Sequence, residues 1–87
     1  MKRLKSEILK NICYTELVYE RINKKLKSKF SKDEIEKLLS DIIIETDEIH
    51  FQETGKNIYI TSYLRNVRIT INSNTYRVIT VDVVSIN

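Results

Sequence analysis

The chain has 87 residues, a formal net charge of +3, one cysteine, one histidine, one glycine and no proline. This length predicts a single domain, residues 1–87. The composition excludes an internal disulfide, metal sites built from several cysteines or from a histidine pair, and glycine-rich phosphate loops. No apolar run approaches the ~18 residues of a membrane span, and the charged first turns are unlike a signal peptide. We therefore expect a cytoplasmic protein without membrane contact, metal or cofactor.

The first half of the chain predicts helices. Residues 2–29 carry a stripe of apolar side chains at helical spacing, namely Leu4, Ile8, Ile12, Val18, Ile22 and Leu26. Leu9, Cys13 and Leu17 lie off that stripe. The segment is therefore either one helix buried on two sides or two helices that break near residues 11–15, where Thr15 is a suitable cap. Ser31 and Glu34 have the spacing of a capping box, which predicts a second helix over residues 32–45.

From residue 48 the apolar period changes to two, which is typical of strands. We predict strands over about residues 48–53, 57–61, 67–72 and 76–84, with tight turns at Gly55 and at residues 72–75. The fold class is then α+β, with two N-terminal helices, or three, packed on a four-stranded antiparallel meander. One sheet face has to pack against the helices, because both would otherwise expose apolar surface.

Strand alternation assigns the side chains to the two sheet faces. The inner set is Ile49, Phe51, Ile58, Ile60, Val67, Ile69 and Ile71, and the outer set is His50, Tyr59, Thr61, Arg68 and Thr70. Arg77 depends on the last turn. A two-residue loop places it opposite Thr70 on the outer face, whereas a three-residue loop places it opposite Ile71 at the inner rim.

Charge is segregated along the chain. Residues 1–30 hold nine basic and three acidic side chains, residues 31–53 hold two and eight, and residues 54–87 hold four and one. The acid-poor sheet half contributes the candidate binding residues Lys56, Tyr59, Tyr63, Arg65, Arg68 and Arg77. Arginines pair with phosphates and tyrosines stack on bases, which favours nucleic acid as the ligand. The alternative is that the tyrosines fill cross-strand positions and the arginines are solvated.

Catalytic and metal sites have weaker signals. Cys13 has no base on its own helix turn and is expected to be a buried structural residue. His50 has the pKa range of a general base, but a lone strand histidine is more often a half-exposed sheet residue. The acids Asp33, Glu34, Glu36 and Asp41 match helix capping and a solvated helix face better than a metal site. We therefore expect no catalytic or metal-ligating residue.

Several segments are similar to a family of small bacterial or phage proteins known only as a domain of unknown function. They include Tyr14-Thr15-Glu16-Leu17, Gly55-Lys56-Asn57-Ile58-Tyr59 and Asn66-Val67-Arg68-Ile69-Thr70. More remotely, the order of helices and sheet and the strand Arg77-Val78-Ile79-Thr80-Val81 resemble RelE- and BrnT-type ribonuclease toxins. That resemblance implies metal-independent RNA cleavage, with Arg65, Arg68 and Arg77 as loosely matched positions. The chain lacks that group's basic C-terminal segment after Asp82.

These observations lead to three functional hypotheses. The first is a non-enzymatic protein that presents a basic and aromatic sheet surface to nucleic acid or to a nucleic-acid-processing protein. The second is a metal-independent ribonuclease toxin. The third is a phage-encoded inhibitor of a host defence nuclease, similar to an anti-CRISPR protein, that acts by occluding a protein surface. Homodimerisation through a free sheet edge is compatible with each of them.

Overall fold

A computed structural model describes residues 4–84. It contains helices α1 (Leu4–Asn11), α2 (Glu16–Leu26) and α3 (Lys32–Glu45), a 3-10 turn (Glu48–His50), and strands β1 (Phe51–Thr54), β2 (Asn57–Ser62), β3 (Val67–Asn72) and β4 (Val78–Val83). The strands form one antiparallel sheet in the order β1-β2-β3-β4. The predicted α+β fold, helices followed by a meander, is confirmed in its three-helix form. No helix in this part of the chain is long and apolar enough to cross a membrane.

The predicted first helix is two helices separated by a short extended segment; its residues 2 and 3 lie outside the described part. The Cys13 amide donates to the Tyr76 carbonyl at 3.0 Å, and the Cys13 carbonyl accepts from the Val78 amide at 2.9 Å. Cys13 thus makes a parallel bridge with Arg77 at the edge of the sheet. These bonds replace the helical ones and end α1. The side chain of Cys13 is exposed, so the expectation of a buried cysteine is wrong.

The connection from α2 to α3 is held by one asparagine. The Asn23 carbonyl oxygen Oδ1 accepts from the Ser28 hydroxyl at 2.8 Å and from the Phe30 amide at 2.9 Å, and its Nδ2 donates to the Phe30 carbonyl. The predicted capping box then starts α3: Ser31 Oγ accepts from the Glu34 amide, and the Glu34 carboxylate accepts from the Ser31 amide. Each bond satisfies an amide that a helix end would otherwise leave unpaired.

One hydrophobic core lies between the helices and one face of the sheet. The helices contribute Ile8, Val18, Ile22, Ile35, Leu39, Ile42 and Ile43, and the sheet contributes Ile58, Ile60, Val67, Ile69, Ile71, Val78 and Val81. The sheet positions follow the predicted alternation from β2 to β3. Within residues 4–84 the buried apolar side chains of the helices all belong to this one core, so no helix in this part of the chain packs an apolar face on the opposite side of the sheet.

The first strand begins three residues later than predicted. The Asp47 carboxylate accepts from the Ile49 amide at 3.0 Å and starts a 3-10 turn that continues to His50. This turn removes Ile49 from the strand alternation. Ile49 is 80% exposed, so its predicted inward position is wrong.

The last hairpin follows neither of the predicted registers. Ile71 pairs with Val78 and Thr70 pairs with Thr80, with a β-bulge between these pairs. The Asn72 side chain shapes the turn by accepting from the amides of Asn74 and Thr75. Because the bulge absorbs one residue, the core receives Val78 and Val81, and β4 begins two residues later than predicted. Arg77 lies at the sheet edge, opposite neither Thr70 nor Ile71.

Candidate nucleic-acid interface

The face of the sheet that lacks helices carries a band of polar and aromatic side chains. Strand pairing places Gln52 opposite Tyr59 and Tyr59 opposite Thr70. In the neighbouring row Thr61 lies opposite Arg68, and Arg68 lies opposite Asp82. Side chains within a row of an antiparallel sheet are direct neighbours. The register therefore places side chains from all four strands on the same surface.

This surface is concave at its β1–β2 side. We use the name outer groove for a cavity of about 370 Å³ lined by Ile49, His50, Gln52, Thr54, Tyr59, Thr61, Tyr63 and Arg68. Its volume lies within the roughly 300–1,000 Å³ of small-ligand sites. The 3-10 turn contributes to the wall, because Ile49 and His50 both belong to this turn and line the groove.

Arg68 is the cation of the outer groove. Its Nε donates to Thr61 Oγ1 at 3.1 Å, which holds the guanidinium over the sheet. Its cross-strand neighbour Asp82 is bonded instead to the Lys25 ammonium of α2 at 2.8 Å. Within residues 4–84 no carboxylate forms an ion pair with Arg68. Its terminal amino groups therefore face solvent and are available for an anion such as a phosphate.

Three aromatic rings accompany Arg68. The rings of His50 and Tyr63 meet edge to face, with 5.0 Å between centroids and an interplanar angle of 70°. Tyr59 is half-buried, and its hydroxyl accepts from Asn57 Nδ2 at 3.3 Å. Tyr63 is exposed in the β2–β3 connection. Rings of this kind offer flat apolar faces with polar edges, which suits stacking with planar bases.

Arg65 belongs to a different environment although it lies only three residues before Arg68. Its Nε and Nη2 donate to the two carboxylate oxygens of Glu45 at the end of α3. This bidentate bond raises the pKa of Arg65 and lowers the pKa of Glu45 below its ordinary value. The guanidinium thus joins the β2–β3 connection to α3. It is not part of the outer groove.

Lys56 and Arg77 are also separate from the outer groove. Lys56 lies in the exposed β1–β2 turn, where its carbonyl accepts from the amide and the hydroxyl of Ser73. Arg77 immediately precedes β4 and lines a different cavity together with Arg21 of α2. Of the six predicted binding residues, the structure brings together Tyr59, Tyr63 and Arg68. The single basic platform formed by all six is not what the structure shows.

A family model described as "Protein of unknown function (DUF3781)" matches residues 6–82. The chain belongs to this family. No curated protein and no solved structure gives a significant match to it. The match begins within α1 and ends within β4, so the outer groove lies entirely within the DUF3781 domain.

Some lining residues of this DUF3781 protein were not among the predicted binding residues. His50 and Thr61 were assigned to the outer face. The proximity of Thr61 to Arg68 follows only from the register of β2 and β3, and His50 reaches the groove from the 3-10 turn. Gln52 and Thr54 carry the same alternation signal. For Ile49 the alternation pointed to the wrong face, because a 3-10 turn at the start of a strand has no periodic pattern of its own. Among residues 4–84 no three His, Cys, Asp or Glu side chains lie close enough to hold a metal ion.

Proposed function

We propose that this protein binds single-stranded nucleic acid in the outer groove, without catalysing a reaction. The observation that carries the proposal is the grouping of Arg68 with His50, Tyr59 and Tyr63 on the helix-free face of the sheet. A backbone phosphate would pair with the guanidinium of Arg68, and neighbouring bases would stack on the rings. Duplexes hide their base faces, so this combination favours a single strand.

The charge around the groove supports the same ligand. Asp82, the acid directly across from Arg68, is neutralised by Lys25. Residues 54–87 contain no other acid. Across β2 to β4, a phosphodiester strand would therefore meet one free guanidinium and one neutralised acid.

The test is a salt titration of binding to fluorescein-labelled single-stranded RNA, single-stranded DNA and duplex DNA, read by fluorescence anisotropy. We expect single strands to bind more tightly than the duplex and log affinity to fall linearly with log salt. Arg68→Ala should reduce the magnitude of that slope by about 0.7, the value for one phosphate contact on a single strand. Absence of single-strand binding at low salt would overturn the proposal.

Two controls accompany this test. One shows whether the effect of Arg68→Ala is specific to the outer groove rather than to total charge, and the other measures the contribution of ring stacking. Lys37→Ala removes the same charge from α3, where Lys37 pairs with Asp41, and should leave the slope unchanged. Tyr59→Ala should weaken binding by roughly 1–3 kcal/mol, the range for one stacked base, whereas Tyr59→Phe should retain most of the affinity. Equal losses in Arg68→Ala and Lys37→Ala would show that the outer groove is not the contact surface.

A metal-independent ribonuclease is the second candidate, and the position of His50 in the same groove favours it. A neutral imidazole can take the proton of a ribose 2′-hydroxyl, and a guanidinium can stabilise the charge that develops on the phosphate. Expression in a bacterium should then arrest growth and degrade transcripts, and His50→Ala should prevent both effects. Normal growth with intact RNA would exclude this candidate and leave the binding proposal unaffected.

A further inference from the structure

A second concave surface lies at the opposite edge of the sheet, between α2 and the start of β4. We use the name edge groove for this cavity of about 340 Å³, whose walls are formed by Leu17, Val18 and Arg21 from α2 and by Arg77, Val78 and Ile79 from the β4 side. It shares no residue with the outer groove. It was not predicted as a site, because α2 and β4 are distant in sequence.

The edge groove has two arginines and no bound carboxylate. Arg21 Nη1 donates to the Ile79 carbonyl at 3.4 Å, and within residues 4–84 neither Arg21 nor Arg77 forms an ion pair. Glu16, the first acid of α2, is held by the Lys32 ammonium at 2.7 Å. Glu20 precedes Arg21 and does not line the groove. The two positive charges are therefore uncompensated inside the cavity.

Apart from the two arginines, Thr15 adds one hydroxyl to the lining, and the other residues are aliphatic. Leu17 is 73% exposed at the rim, an unusual position for a large apolar side chain in a small domain. Val18 and Val78 are buried beneath it and form an apolar floor. No aromatic ring lines the cavity, so bases would have nothing to stack on. The complementary ligand combines negative charge with an aliphatic group, as acidic protein segments do and nucleic acids do not.

We propose that the edge groove docks an acidic segment of a partner protein, with one aliphatic side chain seated between two carboxylates. The carboxylates pair with Arg21 and Arg77, and the aliphatic side chain packs between Leu17 and the apolar floor. Arginine is among the residues that most often dominate protein interfaces. The backbone at this end of β4 already bonds to Cys13 and to Arg21, so recognition uses side chains rather than an added strand.

The test is selection of a displayed library of random twelve-residue peptides on the immobilised full chain. We expect enrichment of sequences with acidic residues on both sides of an aliphatic one. A selected peptide should bind the double variant Arg21→Gln/Arg77→Gln about tenfold or more weakly, and Leu17→Ser should weaken binding by a smaller factor. Arg68→Gln, with its change in the outer groove, should bind like the wild type.

Three results would overturn the proposal. One is a selection that enriches no sequence family, or only families without acids. Another is a selected peptide whose affinity is the same for the double variant and for the wild type. The third is single-stranded RNA whose binding is lost in Arg21→Gln/Arg77→Gln but kept in Arg68→Gln, which would make the edge groove a nucleic-acid site. Both arginines are exposed, so the variants should retain the wild-type circular dichroism spectrum and melting temperature. The proposal does not depend on the outer groove.

Discussion

Arg65 and Arg68 show how the surroundings of identical side chains set what each can do. The Arg65 guanidinium donates to both carboxylate oxygens of Glu45, whereas the Arg68 guanidinium donates only to the Thr61 hydroxyl among the described residues. A ligand phosphate would have to displace a carboxylate at Arg65 but not at Arg68. For this reason Arg68 is the proposed phosphate contact, whereas the pair Arg65–Glu45 links the β2–β3 connection to α3.

The capping box at Ser31 gives a prediction for a single side chain. Ser31→Ala removes the acceptor for the Glu34 amide and should lower the free energy of unfolding by about 1 kcal/mol, measured by urea denaturation. Ser6→Ala is the matched control, because Ser6 is exposed within α1. An equal effect of both substitutions would mean that the capping bond contributes nothing specific.

Tyr19 gives a prediction for the pH dependence of stability. Partial burial and the hydrogen bond from its hydroxyl to Glu36 Oε2, at 2.6 Å, raise the pKa of Tyr19 to about 12 from an ordinary value of 10.0. Between these pH values the unfolded chain has lost the phenolic proton while the folded chain keeps it. The folded state therefore binds more protons, and stability falls as pH rises from 10 to 12.

Tyr19→Phe should make that decline shallower, because the substituted ring has no proton to lose. Glu36→Gln should shift the tyrosinate absorbance of the folded protein to lower pH, since the carboxylate no longer opposes ionisation. Urea denaturation across alkaline pH measures the first effect, and a spectrophotometric titration measures the second. A decline of unchanged steepness in Tyr19→Phe would contradict the assignment.

At the scale of elements, the segment between α1 and α2 acts as protection for an edge strand. Sheet edges expose unpaired backbone groups that invite association with other chains. Here the backbone of Cys13 bonds to Tyr76 and Val78, and Arg21 bonds to the Ile79 carbonyl. The break in the first helix therefore closes the end of β4 that precedes the bulge.

Hydrogen exchange measures directly whether the α1–α2 junction is bonded to the start of β4. The amides of Cys13 and Val78 should exchange slowly in the native protein, because both donate to a carbonyl at the α1–α2 junction or the sheet edge. The exposed turn at Gly55 serves as the fast reference. If Cys13 exchanged as quickly as Gly55, the junction would not be bonded to β4 in solution.

Elements with a strong local signal could be predicted from the sequence. The capping box and the apolar stripe of α3 determine its bounds of 32 and 45, and alternation determines which side chains of β2 and β3 face the core. The 3-10 turn at Ile49 and the bulge beside Ile71 have no periodic signature. Both move side chains between faces, which is why the positions of Ile49 and Arg77 could not be predicted.

The candidate sites depend more than the helices and strands do on contacts between residues that are distant in sequence. Arg65 and Glu45 are twenty residues apart, and nothing in the sequence marks them as partners. Arg21 and Arg77 come together only because α2 packs along β4. Alternation alone placed Tyr59 and Arg68 on one face, so the outer groove was partly predictable and the edge groove was not.

At the scale of the whole molecule, the helices and the sheet share one continuous core. Each layer buries its apolar side chains against the other layer, so neither is expected to remain folded alone. Far-ultraviolet circular dichroism reports mainly on the helices, and near-ultraviolet circular dichroism reports on the packing of the tyrosines. The two signals should therefore show one common midpoint in urea.

A matched pair of isoleucines tests this coupling. Ile69 is fully buried at the centre of β3. Ile69→Ala removes its contacts with both layers and should lower the free energy of unfolding by roughly 2–5 kcal/mol. That is a large share of the 5–15 kcal/mol typical of a small domain, so both signals should shift to lower urea together. Ile49→Ala removes the same atoms from an exposed position and should shift neither. Separate midpoints for the two signals in Ile69→Ala would mean that the helical layer folds independently of the sheet. The stability of the two grooves would then no longer depend on one shared core.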